Sequence, residues 1–238
     1  VVELTIGFMI CLVRKISEID RRVKEGNVIN DPSYYFGREL MGKTLGLIGL
    51  GRIGGKVAEI ARVMGMKVIS YDPYIPPSEG EKIGVQLVSL EYLLRNSDFI
   101  SIHARLTDET RSLIGKREVE LIKDGAYFIN TARGEILSKE GYEALLEGLK
   151  SGKISGAALD VYEMFGKYPV HPEDFLRHYD PKNIPELFKL DNVIITPHMG
   201  GSTQEMFERS ASLLAESVYR FLKGDTSISI INREVFRE

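Results

Sequence analysis

Seven short apolar runs recur along this chain, and helix-forming stretches separate most of them. The runs are 45–49 (LGLIG), 67–71 (KVISY), 85–88 (VQLV), 98–102 (DFISI), 126–130 (AYFIN), 155–159 (SGAAL) and 193–196 (VIIT). Several are continuously apolar rather than alternating, the pattern of strands covered on both faces. Helical patterns fall at 52–64, 89–95, 117–122, 138–151 and 203–223. In the fourth of these, Tyr142, Leu145, Leu146 and Leu149 share one face, Ser138 is placed to cap the start, and Gly152 follows the end. Strands alternating with helices in this way predict an α/β fold, a doubly wound parallel sheet with helices on both faces.

Composition removes several function classes. The 238 residues are 43% hydrophobic and 27% charged, with a net charge of −3, so there is no basic surplus to bind nucleic acid. The single cysteine, Cys11, excludes an internal disulfide framework and points to a reducing, cytoplasmic setting. The first thirteen residues (VVELTIGFMICLV) are apolar but too short to span a membrane, carry Glu3 and lack a basic leader region. They run into RKISEIDRRVKEG, where Ile16 and Ile19 continue an apolar stripe, so one amphipathic helix over 2–24 is expected, packed on a core or a partner chain. The chain opens inside that helix without an initiator methionine or a capping residue, which leads to the expectation of a fragment or processed product.

The first run leads directly into IGLGRIGG (48–55), a G-x-G-x-x-G formed by Gly49, Gly51 and Gly54 between a strand and a helix. Gly49 permits a tight turn, Gly51 lets the backbone approach a pyrophosphate, and Gly54 lets the helix pack close to the strand. The helix N-terminus offers free N–H groups to phosphates, and Arg52 can add a charge-assisted contact. The second strand ends at Tyr71-Asp72-Pro73, about 20 residues on, where the dinucleotide fingerprint expects an acid for the ribose hydroxyls. Asp72 would repel a 2′-phosphate, so NAD is favoured over NADP. The cofactor residues read from this unit are Gly49, Gly51, Arg52, Ile53, Gly54, Asp72 and Pro73, and the sheet is expected to be of the Rossmann type.

Three further stretches follow strand ends: INTARGEI (129–136), GAALDVYE (156–163) and TPHMGGST (196–203). Together with the glycine turn they resemble the D-isomer-specific 2-hydroxyacid dehydrogenases, mainly their NAD-binding domain, and the resemblance covers nearly the whole chain. It implies an NAD-dependent oxidoreductase that transfers a hydride between nicotinamide and a D-2-hydroxy acid or 2-keto acid. On that resemblance Arg133 orients the substrate carboxylate and polarises its carbonyl, with a planar fork of donors. His198 is the acid–base group, a task that suits the imidazole of histidine in general, whose unperturbed pKa is about 6.5. Asp160 accepts from the nicotinamide amide, and Thr131, Ala132, Gly200 and Gly201 lie beside the ring. His103 and Thr107 belong to a loop beneath the cofactor ribose, in which Ala104-Arg105 replaces a more usual apolar-proline pair.

One position departs from the family. A glutamate normally lies five residues after the aspartate equivalent to Asp160, and Phe165 stands there. Glu163 is the nearest acid, with Glu173 and Asp174 further along: either the loop is remodelled so that Glu163 reaches His198 and replaces the glutamate, or that support is absent. The segment 163–191 holds four of the nine prolines and predicts a long irregular insertion. His171 and His178 within it match no common metal-ligand spacing, so no metal is expected.

The expected organisation is a helix and arm over 1–40, an NAD-binding domain over 41–203, and a C-terminal helix and tail over 204–238. The family's N-terminal substrate-binding lobe is expected to be absent, since hydride transfer needs a pocket shielded from water and a single doubly wound sheet offers an open crevice. The first helix and the arm, including SYYFGREL, resemble a dimerisation region and imply a homodimer. Two other readings fit the same residues: an NAD(H)-binding regulatory module without turnover, and a formate- or phosphite-type dehydrogenase of the same fold.

Overall fold

The computed structural model describes residues 1–162, 184–225 and 227. Seven strands form one sheet: β1 (Thr44–Ile48), β2 (Lys67–Tyr71), β3 (Gln86–Leu87), β4 (Phe99–Ile102), β5 (Ala126–Asn130), β6 (Ile154–Leu159) and β7 (Val193–Ile195). Their spatial order is β3-β2-β1-β4-β5-β6-β7, and every pairing is parallel. All seven expected strands are present, each within two residues of its expected limits. The winding direction reverses between β1 and β4, and the crevice at such a reversal is where open α/β sheets bind ligands.

The helices are α1 (Val2–Val13), α2 (Ile16–Lys24), α3 (Arg52–Val63), α4 (Pro77–Lys82), α5 (Leu90–Asn96), α6 (Lys116–Leu121), α7 (Lys139–Ser151) and α8 (Gln204–Leu222). The continuous apolar runs are explained by two cores, one on each sheet face. Phe8, Met9, Leu12 and Val13 of α1 join Val57, Ala58 and Ala61 of α3 over Leu45, Leu47, Phe99, Ile129 and Ala158. On the other face Leu93 and Leu94 of α5, Val119 of α6 and Leu145 and Leu149 of α7 cover Ile48, Ile100, Ile102, Phe128 and Leu159. Full burial of a side chain of this size contributes about 1.5–3 kcal/mol, so both layers stabilise the sheet strongly. The caps expected for α7 are present: Ser138 accepts from the Gly141 N–H at 3.1 Å, and Gly152 closes the helix at φ +78°.

Two expectations are corrected. The single helix over 2–24 is broken into α1 and α2 at Lys15, which adopts a left-handed φ of +52°. The apolar stripe that suggested continuity serves two environments: α1 is largely wedged onto the sheet, whereas α2 buries no residue and carries i,i+4 ion pairs such as Arg22–Glu18. The apolar residues of α1 therefore pack on the core of their own chain. The second correction is α4, in a stretch where no helix was expected. It is only six residues long, lacks apolar periodicity, and begins with Pro77 in its first turn, where a missing N–H costs nothing.

The chain forms two compact units, Val1–Gly200 and a second from Gly201 onward. In the second, Thr203 caps α8 by accepting from the Met206 N–H at 3.2 Å, and Arg220 pairs with Asp225 beyond its C-terminus. No helix among the described residues is long and apolar enough to cross a membrane.

Candidate active site

The glycine turn leaves β1 at the reversal point, and its three glycines carry three separate constraints. Gly49 has φ +98°, and a Cβ there would lie 2.7 Å from the Ala104 nitrogen in the loop after β4. A Cβ on Gly54 would lie 2.2 Å from the Gly49 carbonyl oxygen, so the first turn of α3 sits directly on the strand end. Gly51 faces open space, with nothing within 4 Å of its would-be Cβ. Two glycines thus serve the packing of the turn, and the third leaves room for a ligand beside the N-terminus of α3. Arg52 and Ile53 open that helix and are both exposed. This cradle fits a dinucleotide pyrophosphate.

Asp72 follows β2, and its carboxylate reaches across to the same turn. Its Oδ2 accepts from the Leu50 N–H at 2.9 Å and its Oδ1 from the Tyr74 N–H at 3.1 Å. Pro73 is exposed next to it. The Tyr74 hydroxyl donates to Glu109, joining this edge of the crevice to the loop after β4. That loop is held by its own threonines: Thr107 N–H donates to Thr110 Oγ1 at 2.8 Å, and Thr110 Oγ1 donates to the Arg105 carbonyl at 2.6 Å. His103 opens the loop, 2.9 Å from Ser101 Oγ. The His103 residue keeps some solvent exposure, but burial of its ring pulls its pKa from 6.5 down to about 4, so the imidazole is neutral at physiological pH.

The other candidates occupy the carboxyl ends of three neighbouring strands. Past β5, Asn130 is fully buried and shapes the turn with both ends of its amide. Its Oδ1 accepts from the Ala132 N–H at 3.0 Å, and its Nδ2 donates to the Arg133 carbonyl at 2.9 Å. Tyr142 of α7 donates to the Gly134 carbonyl at 3.2 Å, and Thr5 of α1 lies 3.3 Å from Thr131, hydroxyl to hydroxyl. Thr131 and Ala132 are thereby buried in a pinned turn, while Arg133 is exposed and donates to the Ala132 carbonyl at 2.6 Å. Two residues further on, Glu135 has a buried Oε2 without a hydrogen-bond partner among the described residues.

Past β6 comes Asp160, only 1% exposed. Past β7 comes the turn 196–200, in which His198 adopts a left-handed φ of +54°. A non-glycine residue held in such a sparsely populated conformation costs of order 1–3 kcal/mol, and such strain collects at functional sites. The His198 N–H donates to the Asp160 carbonyl at 2.8 Å. The Asp160 carboxylate accepts from Thr196 Oγ1 at 2.6 Å, from the Met199 N–H at 2.8 Å and from the Gly200 N–H at 2.8 Å. A Cβ on Gly200 would stand 2.8 Å from Asp160 Oδ2, which explains the glycine. Gly201 begins the second unit.

Adjacent strands lie about 4.8 Å apart, so the Arg133 and His198 loops, two strands apart, leave the sheet roughly 10 Å from one another with Asp160 between them. Asn130 and Thr196 lie within the quoted motifs and Tyr142 on the apolar face of the fourth helical stretch, whereas Thr5 carried no signal; the hydrogen-bond partners of all four are visible only in three dimensions. Glu163, with Phe165, His171, Glu173, Asp174 and His178, lies outside the described residues. Among the described residues no group of three or more His, Cys, Asp or Glu is placed to hold a metal ion.

The fold and this rim define a doubly wound nucleotide-binding domain with polar groups gathered at the carboxyl edge of its sheet. Residues 6–200 match the family described as D-isomer specific 2-hydroxyacid dehydrogenase, NAD binding domain, and the chain belongs to that family. It is 41% identical over 233 residues to the D-3-phosphoglycerate dehydrogenase of Methanocaldococcus jannaschii, an alignment covering 98% of this chain and 41% of the relative. It is 39% identical to the glyoxylate reductase of Thermococcus litoralis, covering 98% of this chain and 66% of the relative. Among solved structures, the NAD-complexed D-isomer specific 2-hydroxyacid dehydrogenase of Lactobacillus delbrueckii ssp. bulgaricus superposes with a TM-score of 0.82 at 33% identity, over 97% of this chain and 68% of that one. The Aquifex aeolicus D-lactate dehydrogenase, complexed with NAD and lactic acid, gives 0.79 at 37% identity, over 94% and 66%. The chain spans about two fifths of the phosphoglycerate dehydrogenase and about two thirds of the glyoxylate reductase.

Proposed function

We propose that this chain carries the cofactor site and catalytic rim of an NAD-dependent D-2-hydroxyacid dehydrogenase. The observation that carries the reading is that Arg133, Asp160 and His198 follow three adjacent strand ends of the sheet whose first strand leads into the glycine turn. Bound NAD supplies the two-electron acceptor, so that a 2-hydroxy acid becomes a 2-keto acid with net release of one proton.

Each step for the protein follows from its side chains. Arg133, exposed at its turn, offers guanidinium donors to a carboxylate and to the adjacent carbonyl oxygen. His198 takes the hydroxyl proton during oxidation and returns one during reduction. Gly51 and the N-terminus of α3 receive the pyrophosphate, Arg52 and Ile53 border it, and Asp72 with Pro73 faces the adenosine ribose. His103 and Thr107 belong to the neighbouring loop, and Thr131, Ala132 and Gly200 border the ring. Three donors already engage the Asp160 carboxylate. A carboxylate has about four acceptor positions, so one remains for the ring amide. Selectivity among hydroxy acids belongs to groups that cover the rim. A homodimer through residues 1–40 completes the reading, supported by exposed Val28 and Phe36 in the arm. A cytoplasmic location accords with the single cysteine.

The test is NADH oxidation against glyoxylate, hydroxypyruvate and pyruvate, with His198→Ala as control. Turnover should fall by about 10²–10⁴ in that variant, the usual range for removing a general acid–base group. NADH binding without turnover, both in this chain and in a chimera carrying the remaining domain of the Thermococcus litoralis relative, would favour a regulatory module instead.

A further inference from the structure

We infer that Thr196, acting through Asp160, is a positioning residue that holds His198 in its left-handed turn. The inference rests on the reading of His198 as the acid–base group.

Asp160 is almost completely buried, and a carboxylate in such a place must be neutralised or fully engaged by donors. Among the described residues, every donor to its carboxylate comes from the turn that bears His198. Thr196 precedes His198 by two residues, and its hydroxyl donates to Oδ1 at 2.6 Å, the short distance of a charge-assisted O–H···O bond. Met199 and Gly200 follow His198, and their N–H groups reach Oδ1 and Oδ2, both at 2.8 Å. The carboxylate therefore grips the turn on both sides of the histidine, and the Asp160 carbonyl accepts from the His198 N–H itself. A positive φ at a histidine persists only where its surroundings over-determine it, and these four bonds do so. Thr196 has a second anchor, its own N–H donating to the Leu159 carbonyl at 3.1 Å, which registers the start of the turn against β6. The hydroxyl orients the carboxylate, the carboxylate orients the two amides, and the amides set the direction in which the imidazole leaves the backbone.

A rival use of Asp160, as anchor for the cofactor ring alone, makes different predictions. Thr196→Val keeps the shape of the side chain and removes the hydroxyl. Amide hydrogen exchange at Met199 and Gly200 should then accelerate by about tenfold or more relative to β6, because the carboxylate is free to rotate away. The ring resonances of His198 should shift or broaden, and Thr196→Ser should restore both signals. The affinity for NADH should stay within about twofold in both variants. Where the wild-type chain turns over, kcat and the pH profile of kcat/KM should change in Thr196→Val while KM for NADH holds. Unchanged exchange and unchanged His198 resonances in Thr196→Val would overturn the inference. So would a loss of NADH affinity without a change in exchange, which would assign Asp160 to the ring. Exchange and ring resonances need no turnover, so inactivity of both this chain and the chimera would sink the dehydrogenase reading while the clamp is judged on its own signals.

Discussion

Asp72 Oδ2 lies 2.9 Å from the backbone nitrogen of Leu50, a contact that ties the end of β2 to the glycine turn after β1. One carboxylate therefore orders the loop that receives the phosphates and also places negative charge beside the ribose site. A 2′-phosphate about 4 Å away would be repelled by roughly 4 kcal/mol at an effective dielectric of about 20. Solvent screening at this partly exposed residue reduces that figure. Asp72→Asn should raise NADPH affinity by about 10–100-fold and lower NADH affinity, measured by fluorescence titration with each cofactor.

The glycines separate folding from binding. Gly54→Ala forces a methyl group to 2.2 Å from the Gly49 carbonyl oxygen and should destabilise the domain by about 1–3 kcal/mol or more, read from urea unfolding. Gly51→Ala meets nothing within 4 Å and has an ordinary φ of −74°. It should leave the unfolding midpoint nearly unchanged and weaken NADH binding by tenfold or more, because the methyl group occupies the space left for the pyrophosphate. Equal effects of both variants on stability would contradict this division.

At the other end of the sheet, burial works to raise the Asp98 carboxyl, but the hydrogen bonds from Lys123 and from the Thr44 N–H prevail and hold its pKa below the usual value. A lowered folded-state pKa means stability that is present above about pH 4, the unfolded value, and is lost as pH falls through the folded one. Acid unfolding should therefore be shallower in Asp98→Asn than in the wild type. At pH 7 the same substitution should cost about 1–2 kcal/mol, since the Thr44 N–H and Lys123 lose a charged acceptor.

His103 has the same sign of linkage for a different reason. Its folded-state pKa, pulled down to about 4 by burial, means that protonation favours the unfolded chain. Stability is whole above about pH 6.5 and declines as pH falls from there towards 4. Followed by NMR, the His103 Cε1–H resonance should stay flat above about pH 5. A midpoint near the ordinary value of about 6.5 would refute the buried neutral ring.

Much of this was legible in the chain itself. The seven strands could be read because they are predominantly apolar, several of them continuously so, which sheet burial on both faces demands. The roles of Gly49 and Gly54 could be read because a turn and a close helix approach exclude side chains at those places. The break at Lys15 could not be read, since both halves of 2–24 continue an apolar stripe and only the fit of α1 on the sheet separates them. Thr196 was likewise hidden: a threonine before Pro-His has no local signature of a bond to an aspartate 36 residues earlier.

Residue spacing and local chemistry thus determined the elements, the doubly wound class and the cofactor turn, while Arg133, Asp160 and His198 were marked by the resemblance of their motifs to the family. The former depend on interactions within a few residues, where chain geometry is nearly the same in any fold. Only the tertiary structure decided what Asp160 holds, which turns Asn130 and Tyr142 pin, and that His198 sits in a strained backbone. Those relations join strand ends far apart in sequence, and they exist only once the parallel sheet has aligned its carboxyl edge.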